Sequence, residues 1–302
     1  MKKIGINGGF LGVDKRMANE GYFGWEKNYL QNPAGYLLDF VSTTSLVAAW
    51  SMRRLNSNYL TNAVIARRSN DNNVIAVGFI GPDFDTATFQ SYMASNSAFL
   101  TTWYDQSGNV RTLTQGSNGN QPRLRNVGVN EAINGRIAAR GINANATSIA
   151  GSIGSVSTSN FTIVLVLSLP AYSSGSRRIV SCNQSGNSDT GLASTFNINL
   201  SGTNQIVVEN SINLYATVAA NTPTVLTVMW NGTSLKIRGN GAEIASTNNT
   251  NTLTINAITF VGLGQVSDSV VAESIVYART LTTVELQTIE RNMGAYYGIT
   301  VA

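Results

Sequence analysis

The fold class is decided by the stretch VLTVMWNGTSLKIR, residues 225–238. Two apolar runs flank the pair Asn231-Gly232, and an Asn-Gly pair between such runs is the strongest short-range signal for a β-hairpin. A second turn at residues 239–241 leads into another strand-like run at 242–245. The stretch therefore predicts an antiparallel meander of three strands.

Short apolar runs recur on both sides of this meander, each bounded by turn-forming Gly, Asn, Asp or Ser. Many short strands at near-regular spacing predict a mainly β protein, built as a sandwich or a barrel. The further predicted strands are 46–52, 63–68, 74–79, 100–104, 161–169, 178–182, 195–200, 205–209, 255–262 and 270–277.

One well-marked helix closes the chain. Thr282 and Glu285 form a capping box, and Gly298 stands where a left-handed C-terminal cap is expected. A shorter helix is predicted after Asp85, whose side chain is a suitable N-cap. The apolar faces comprise Leu286, Ile289, Met293 and Tyr297 in the long helix, and Phe89, Tyr92 and Met93 in the short one.

Residues 1–42 differ from the rest, because glycines and aromatic residues are interspersed there without a helical or strand period. We interpret them as an irregular N-terminal arm that anchors the chain to a partner, and residues 43–302 as one sandwich domain. The alternative is that the arm folds back on its own domain. The expected anchoring side chains are Phe10, Tyr22, Phe23, Trp25 and Tyr29.

The composition excludes several classes of protein. With 43% hydrophobic residues the chain can build a core, and its net charge of +4 is too dispersed for a nucleic-acid-binding stripe. The chain has no histidine, so it lacks the usual general base and the commonest zinc ligand. We therefore expect no metal and no cofactor. No apolar stretch reaches the roughly 18 residues of a membrane span, and no signal peptide is recognisable.

The single cysteine, Cys182, excludes an intrachain disulfide and indicates assembly in a reducing cytoplasm. We expect it to be a small buried apolar residue. Trp50, Trp103 and Trp230 lie within strand patterns and are expected in the core, whereas Tyr215 is expected to be exposed in a loop.

Two stretches carry a resemblance to known families. The block Trp-Tyr-Asp-Gln-Ser-Gly-Asn at 103–109, with arginine pairs at 53–54 and 67–68, resembles the arabinofuranosidase B catalytic domain of glycoside hydrolase family 54. Residues 272–299 resemble the terminal strand and helix of laminin-G-like modules. The resemblance covers roughly residues 45–300 and implies a concanavalin A-like jelly-roll β-sandwich. Such modules with an irregular arm are common in bacteriophage virions, and this chain looks like one of them.

The resemblance also implies a catalytic position. Retaining glycosidases need two carboxylates about 5–5.5 Å apart. Glu209, followed by Asn210, matches the family's nucleophile context, but Val266 stands where the family has its acid/base aspartate. Val207 and Ser181 replace a second acid and one of two adjacent cysteines. We therefore expect that the chain is not an enzyme.

Four residues are candidates for carbohydrate binding: Glu209, Asn210, Tyr215 and Asp268. For Glu209, a plain solvent-facing position at a strand end is an equal alternative. Asp105 and Asn109 could ligate calcium, or could cap their own turn as Asx motifs.

These features favour a structural protein of a phage virion surface, namely a decoration, fibre or tail-associated protein. It would dock to other virion proteins through residues 1–42, form homo-oligomers, and display the lectin-like sandwich for adsorption to a host-cell glycan. Its location would be the virion, after assembly in the host cytoplasm. The alternative is an arabinofuranosidase-like glycoside hydrolase that acts on host or capsular polysaccharide.

Overall fold

A computed structural model of the chain describes residues 35–142, 147–171, 176–183, 195–202, 204–261 and 268–302. The described residues are mainly β, with two α-helices. The helices are α1 (Thr86–Met93) and α2 (Thr283–Tyr297). The strands are β1 (Leu46–Ser51), β2 (Val64–Arg68), β3 (Val74–Val77), β4 (Phe79–Ile80), β5 (Asp83–Phe84), β6 (Ala98–Trp103), β7 (Leu113–Thr114), β8 (Arg123–Asn126), β9 (Val129–Asn130), β10 (Ala132–Ile133), β11 (Arg136–Ile137), β12 (Ala139–Arg140), β13 (Ile149–Thr158), β14 (Asn160–Ser168), β15 (Ser176–Asn183), β16 (Phe196–Ser201), β17 (Gln205–Asn210), β18 (Ile212–Thr217), β19 (Thr224–Asn231), β20 (Ser234–Gly239), β21 (Ala242–Asn248), β22 (Leu253–Phe260) and β23 (Val270–Tyr277).

Apart from the separate short hairpins β4–β5 and β10–β11, the strands form two antiparallel layers of a jelly-roll-like sandwich. In the first layer, β1 and β12 lie beside β23, which is followed by β14, β19, β20 and β21. The second layer runs β3, β2, β6, β7, β13, β22, β15, β16, β17 and β18. Strand β8 pairs with both β12 and β6 and joins the layers at one edge. The predicted meander is confirmed as β19, β20 and β21.

The main core lies between the layers. Alternate residues of β14 point into it, and Trp50, Trp103 and Trp230 are fully buried there, as predicted. Cys182 is buried in the same core. Burial raises the pKa of its thiol well above the ordinary value, so it is an uncharged apolar side chain, as expected.

A second apolar cluster lies beneath α2. Val164 and Val166 of β14 and Ile275 of β23 face this helix rather than the main core. The capping box of Thr282 and Glu285 is present, and the buried face of α2 includes the predicted residues Leu286, Ile289, Met293 and Tyr297. The predicted C-terminal helix is therefore confirmed.

A buried ion pair lies under the same helix. Arg53 donates from Nε to Glu273 Oε2 at 2.7 Å and from Nη2 to Oε1 at 2.9 Å, and both side chains are at most 1% exposed. Ser51 Oγ and the Tyr297 hydroxyl also donate to Glu273. Burial, with the adjacent carboxylate, raises the pKa of Tyr297, which therefore keeps its proton. This cluster ties the segment after β1 to β23 and α2.

Part of the predicted arm lies within the described residues. Leu37, Leu38 and Val41 are buried in the cluster beneath α2. The five proposed anchoring aromatics lie outside the described residues, so their role and the boundary at residue 42 stay predictions. Within the described ranges, no helix is both long and apolar enough to cross a membrane.

The ion pair predicts a large stability effect. Glu273→Gln leaves Arg53 buried without its counter-charge, so the free energy of unfolding should fall by about 3–5 kcal/mol. Glu243→Gln is the matched control, because Glu243 pairs with Lys236 on the surface and should contribute less than about 1 kcal/mol. Urea unfolding of the two variants measures the difference, and equal losses would contradict the assigned role.

Candidate functional site

The outer face of the second layer carries a row of polar side chains. Thr259 of β22, Ser181 of β15, Asn197 of β16 and Glu209 of β17 are consecutive cross-strand partners. Because directly opposed residues of an antiparallel pair share a face, the four side chains form one line, here called the outer-face row. Their chain neighbours Cys182, Ile198 and Val208 point into the main core.

Three of the four residues in the row, Thr259, Ser181 and Asn197, are buried, and Glu209 is half-buried. Ser181 is 1% exposed, and its Oγ has no hydrogen-bond partner among the described residues. The same is true of Oδ1 of Asn199, which lies on the same face and is also 1% exposed. A buried polar atom without a partner costs about 1–3 kcal/mol of stability.

Glu209 is the free carboxylate of the described chain. It is half-buried and makes no hydrogen bond or ion pair with a described residue. Ten other described acidic residues are already bonded within the fold: Asp39, Asp71, Asp83, Asp85, Asp105, Glu131, Glu243, Glu273, Glu285 and Glu290. A carboxylate that the fold does not use, on a polar face, is available for chemistry.

Asn210 points to the other side of β17 and is fully buried. Its Nδ2 donates to the Thr195 carbonyl, and its Oδ1 accepts from Asn251 Nδ2 at 2.8 Å and from Asn249 Nδ2 at 3.2 Å. Asn210 therefore holds the end of β17 on which Glu209 is mounted. Its contact with a glycan stays a prediction.

Tyr215 lies in strand β18, so its predicted loop location is wrong. Leu214 and Ala216 are buried while Tyr215 is 48% exposed, which is the alternation of an amphipathic strand. Its cross-strand partner is Val207, which shares the outer face and is 2% exposed. The structure thus places an exposed aromatic ring on the same face as Glu209.

Asp268 lies elsewhere. It lies two residues before β23 of the first layer, and it lines a groove with Arg123 and Arg140. Val266 lies outside the described residues. The described part of the outer-face row contains no second carboxylate.

The 103–109 block forms a turn whose polar side chains also bond to strand β1. Asp105 accepts from the backbone of Ala49, Ser107 and Arg111 at 2.8–2.9 Å, and Asn109 Nδ2 donates to the carbonyls of Leu46 and Val47. Of the two interpretations, calcium ligation or an Asx motif, the bond from the Ser107 N–H to Asp105 Oδ1 is that of an Asx turn. In the described ranges there is no group of three or more His, Cys, Asp or Glu side chains that could hold a metal ion.

Comparison with known proteins gives fold relatives. No family model and no curated protein match the chain. A solved GH54 α-L-arabinofuranosidase soaked with a cyclic sulfate inhibitor has a TM-score of 0.64 at 16% identity, over 83% of this chain and 62% of that chain. An arabinofuranosidase complexed with arabinofuranosyl-α-1,2-xylobiose has a TM-score of 0.65 at 16% identity, over 85% and 64%. A Trypanosoma rangeli sialidase has a TM-score of 0.51 at 12% identity, over 88% and 38%.

At these identities the likeness shows the fold, and the chain spans less than two thirds of the arabinofuranosidases' length. The prediction that the chain is not an enzyme is contradicted, because solved structures that share the fold over most of this chain are glycoside hydrolases. The virion location, phage origin and oligomeric state find no support in these comparisons and stay predictions.

The Asn210 cluster predicts a measurable stability effect. Asn210→Ala removes the buried amide and leaves the Thr195 carbonyl and two asparagine amides with fewer partners, so stability should fall by about 1–3 kcal/mol. Asn213→Ala, an exposed change in the adjacent strand, should fall within about 0.5 kcal/mol of the parent. Denaturant unfolding measures both. A neutral Asn210→Ala would show that this cluster does not hold the strand end.

Proposed function

We propose that the chain is a glycoside hydrolase whose active site is the outer face of β15, β16 and β17, and whose substrate is an arabinofuranose-bearing polysaccharide of a cell surface or capsule. The observation that carries the proposal is Glu209: a half-buried carboxylate without a partner in the described chain, mounted on a polar face of a sandwich shared with arabinofuranosidases. The likeness of the fold alone would leave the position of the site open.

In the proposed reaction Glu209 is the nucleophile. Its carboxylate attacks the anomeric carbon as the bond to the leaving-group oxygen breaks, and that oxygen takes a proton from solvent water, which gives a covalent glycosyl-enzyme. Water then attacks the same carbon, its proton passes to solvent, and the carboxylate is released. Carboxylates used elsewhere in the fold are held by arginines, lysine or backbone amides, and a paired carboxylate is a weaker nucleophile. The absence of such pairing at Glu209 among the described residues suits this step.

The neighbouring groups suit a sugar. Ser181 and Asn199 make the face around Glu209 polar, and both are 1% exposed, so they lie beneath the surface that a sugar would contact. Tyr215 presents its ring on the same face, and an exposed aromatic ring is a common stacking surface for the apolar side of a sugar. Stacking on the Tyr215 ring would orient the anomeric carbon of the sugar over Glu209.

Hydrolysis of 4-nitrophenyl α-L-arabinofuranoside tests the proposal. Nitrophenolate leaves without protonation, so this substrate examines the nucleophile independently of the proton donor. The parent should release nitrophenolate above the buffer rate, and Glu209→Gln should reduce kcat/KM by at least about a thousandfold.

Glu243→Gln makes the same chemical change at an exposed, lysine-paired carboxylate and should leave the rate unchanged. Circular dichroism spectra should match among the three proteins. Absence of turnover in the parent, or equal turnover in the Glu209→Gln protein, would refute the proposal.

A further inference from the structure

Two arginines at the edge that joins the layers share one buried carboxylate. Arg123 of β8 and Arg140 of β12 are cross-strand partners. Arg123 Nε donates to Glu131 Oε1 at 2.6 Å, and Arg140 Nε donates to Glu131 Oε2 at 2.6 Å. Because both Nε atoms are held by one carboxylate, the two guanidinium groups are fixed side by side. We refer to Arg123 and Arg140 as the arginine pair.

The arginine pair retains unused donors. Arg140 Nη1 donates to the Asp268 carbonyl at 3.0 Å. Among the described residues, the terminal nitrogens of Arg123 and Nη2 of Arg140 donate to none. The side chains of Arg123 and Arg140 are 22% and 32% exposed, so these N–H groups reach solvent. Two cations that share one anion keep one net positive charge, which the Asp268 carboxylate at the rim of the same site offsets.

The unused donors face a groove. Its volume is about 490 Å³, and its lining includes the arginine pair, the amide of Asn126, the apolar side chain of Val129 and, at the rim, exposed Asp268. Val129 is 70% exposed, which provides an apolar wall next to fixed charges. Fixed guanidinium donors, an amide and an apolar wall are the elements that recognise an oxyanion on a carbon ring.

The hairpin that forms one wall is held in a strained conformation. Val127, in the turn between β8 and β9, has φ 42°, in the left-handed region that a β-branched residue rarely adopts. Its backbone N–H is bonded to Ser97 Oγ at 3.0 Å. Val127 and Gly128 both have positive φ, as a two-residue type I′ hairpin turn requires. The turn and the bond to Ser97 fix the hairpin that carries Asn126 and Val129.

We infer that this groove binds the carboxylate of an acidic sugar residue, such as a uronate in a polysaccharide. A planar carboxylate matches the paired N–H groups of guanidinium, whereas Val129 would contact the ring carbons. This inference goes beyond the proposed hydrolase, because the groove shares no residue with the outer-face row and does not depend on Glu209.

Asp268 makes the inference sharply testable. Its carboxylate opposes the charge of an anionic ligand at the rim, so Asp268→Asn should tighten the binding of a uronate. If the groove instead bound neutral hydroxyl groups, the same change would remove an acceptor and weaken binding. The sign of the effect therefore distinguishes the two kinds of ligand.

Calorimetric titration of the full chain with trigalacturonate and with neutral galactotriose provides the test. Trigalacturonate should bind, with an affinity that falls as salt is added, and galactotriose should not. Arg123→Gln should weaken binding by at least about tenfold, the loss expected for one charge-assisted hydrogen bond. Asp268→Asn should strengthen it, and Arg136→Gln, which removes an exposed arginine outside the groove, should leave it unchanged.

Arg123→Lys keeps the positive charge and removes the planar guanidinium, so it should also weaken the binding of trigalacturonate. If the Arg123 variants fail to fold, Asp268→Asn still provides the test, because Asp268 is exposed. The Glu209→Gln protein should bind trigalacturonate like the parent, which separates this site from the hydrolase. Equal binding of galactotriose, weaker binding by Asp268→Asn, or no binding of trigalacturonate would overturn the inference.

Discussion

The structure depends on two strands, β14 and β23, that bury both of their faces. One face of each packs against the second layer, and the other packs beneath α2. Strands in this position are largely apolar, and the one charge that they bury, Glu273, is paired with Arg53. Two sets of buried bonds hold α2 on the first layer. One is the Arg53–Glu273 pair, and the other joins Arg238 and Thr227 to Glu290 of α2. In the described ranges, α2 packs on β14 and β19 of the first layer, and the outer face of the second layer carries polar side chains.

The difference between the two layers determines where the proposed site lies, namely on the outer face of the second layer. On β17 the apolar residues Ile206 and Val208 face the core, and the alternation of the strand places Glu209 on the other side. The fold uses its other described carboxylates as caps, turn acceptors and ion-pair partners, with Asp268 at the rim of a separate groove. A site on the outer face therefore requires no rearrangement of the core, and the residues around it can vary while the sandwich stays intact.

Features set by local interactions were predictable from the sequence. The Asn231-Gly232 hairpin and the capping box of α2 depend on residues within a few positions of each other, and both are confirmed. Strand β13 was not predicted, because Gly151, Gly154 and several serines interrupt its apolar pattern. Gly151 is required where the chain passes close to Thr112, whose carbonyl would lie 2.5 Å from an added Cβ.

Long-range pairing explains the remaining differences. The location of Tyr215 in β18 depends on pairing with β17, which a run of alternating exposed and buried residues signals only weakly. The carboxylate shared by Arg123 and Arg140 forms only when β8 and β12 meet at the sandwich edge. The prediction that the chain is not an enzyme rested on single positions that differ from a family pattern. Single positions do not reveal which carboxylate the described fold leaves without a partner.

Covalent labelling tests the central claim most directly. An arabinofuranose-configured cyclic sulfate reacts with a carboxylate nucleophile placed at the anomeric carbon and leaves a stable ester. After incubation of the full chain with this reagent, intact-mass and peptide mass spectrometry should show one adduct per chain, on Glu209. An adduct on another carboxylate, or no adduct at concentrations that label a known arabinofuranosidase, would contradict the assignment of the outer face as the active site.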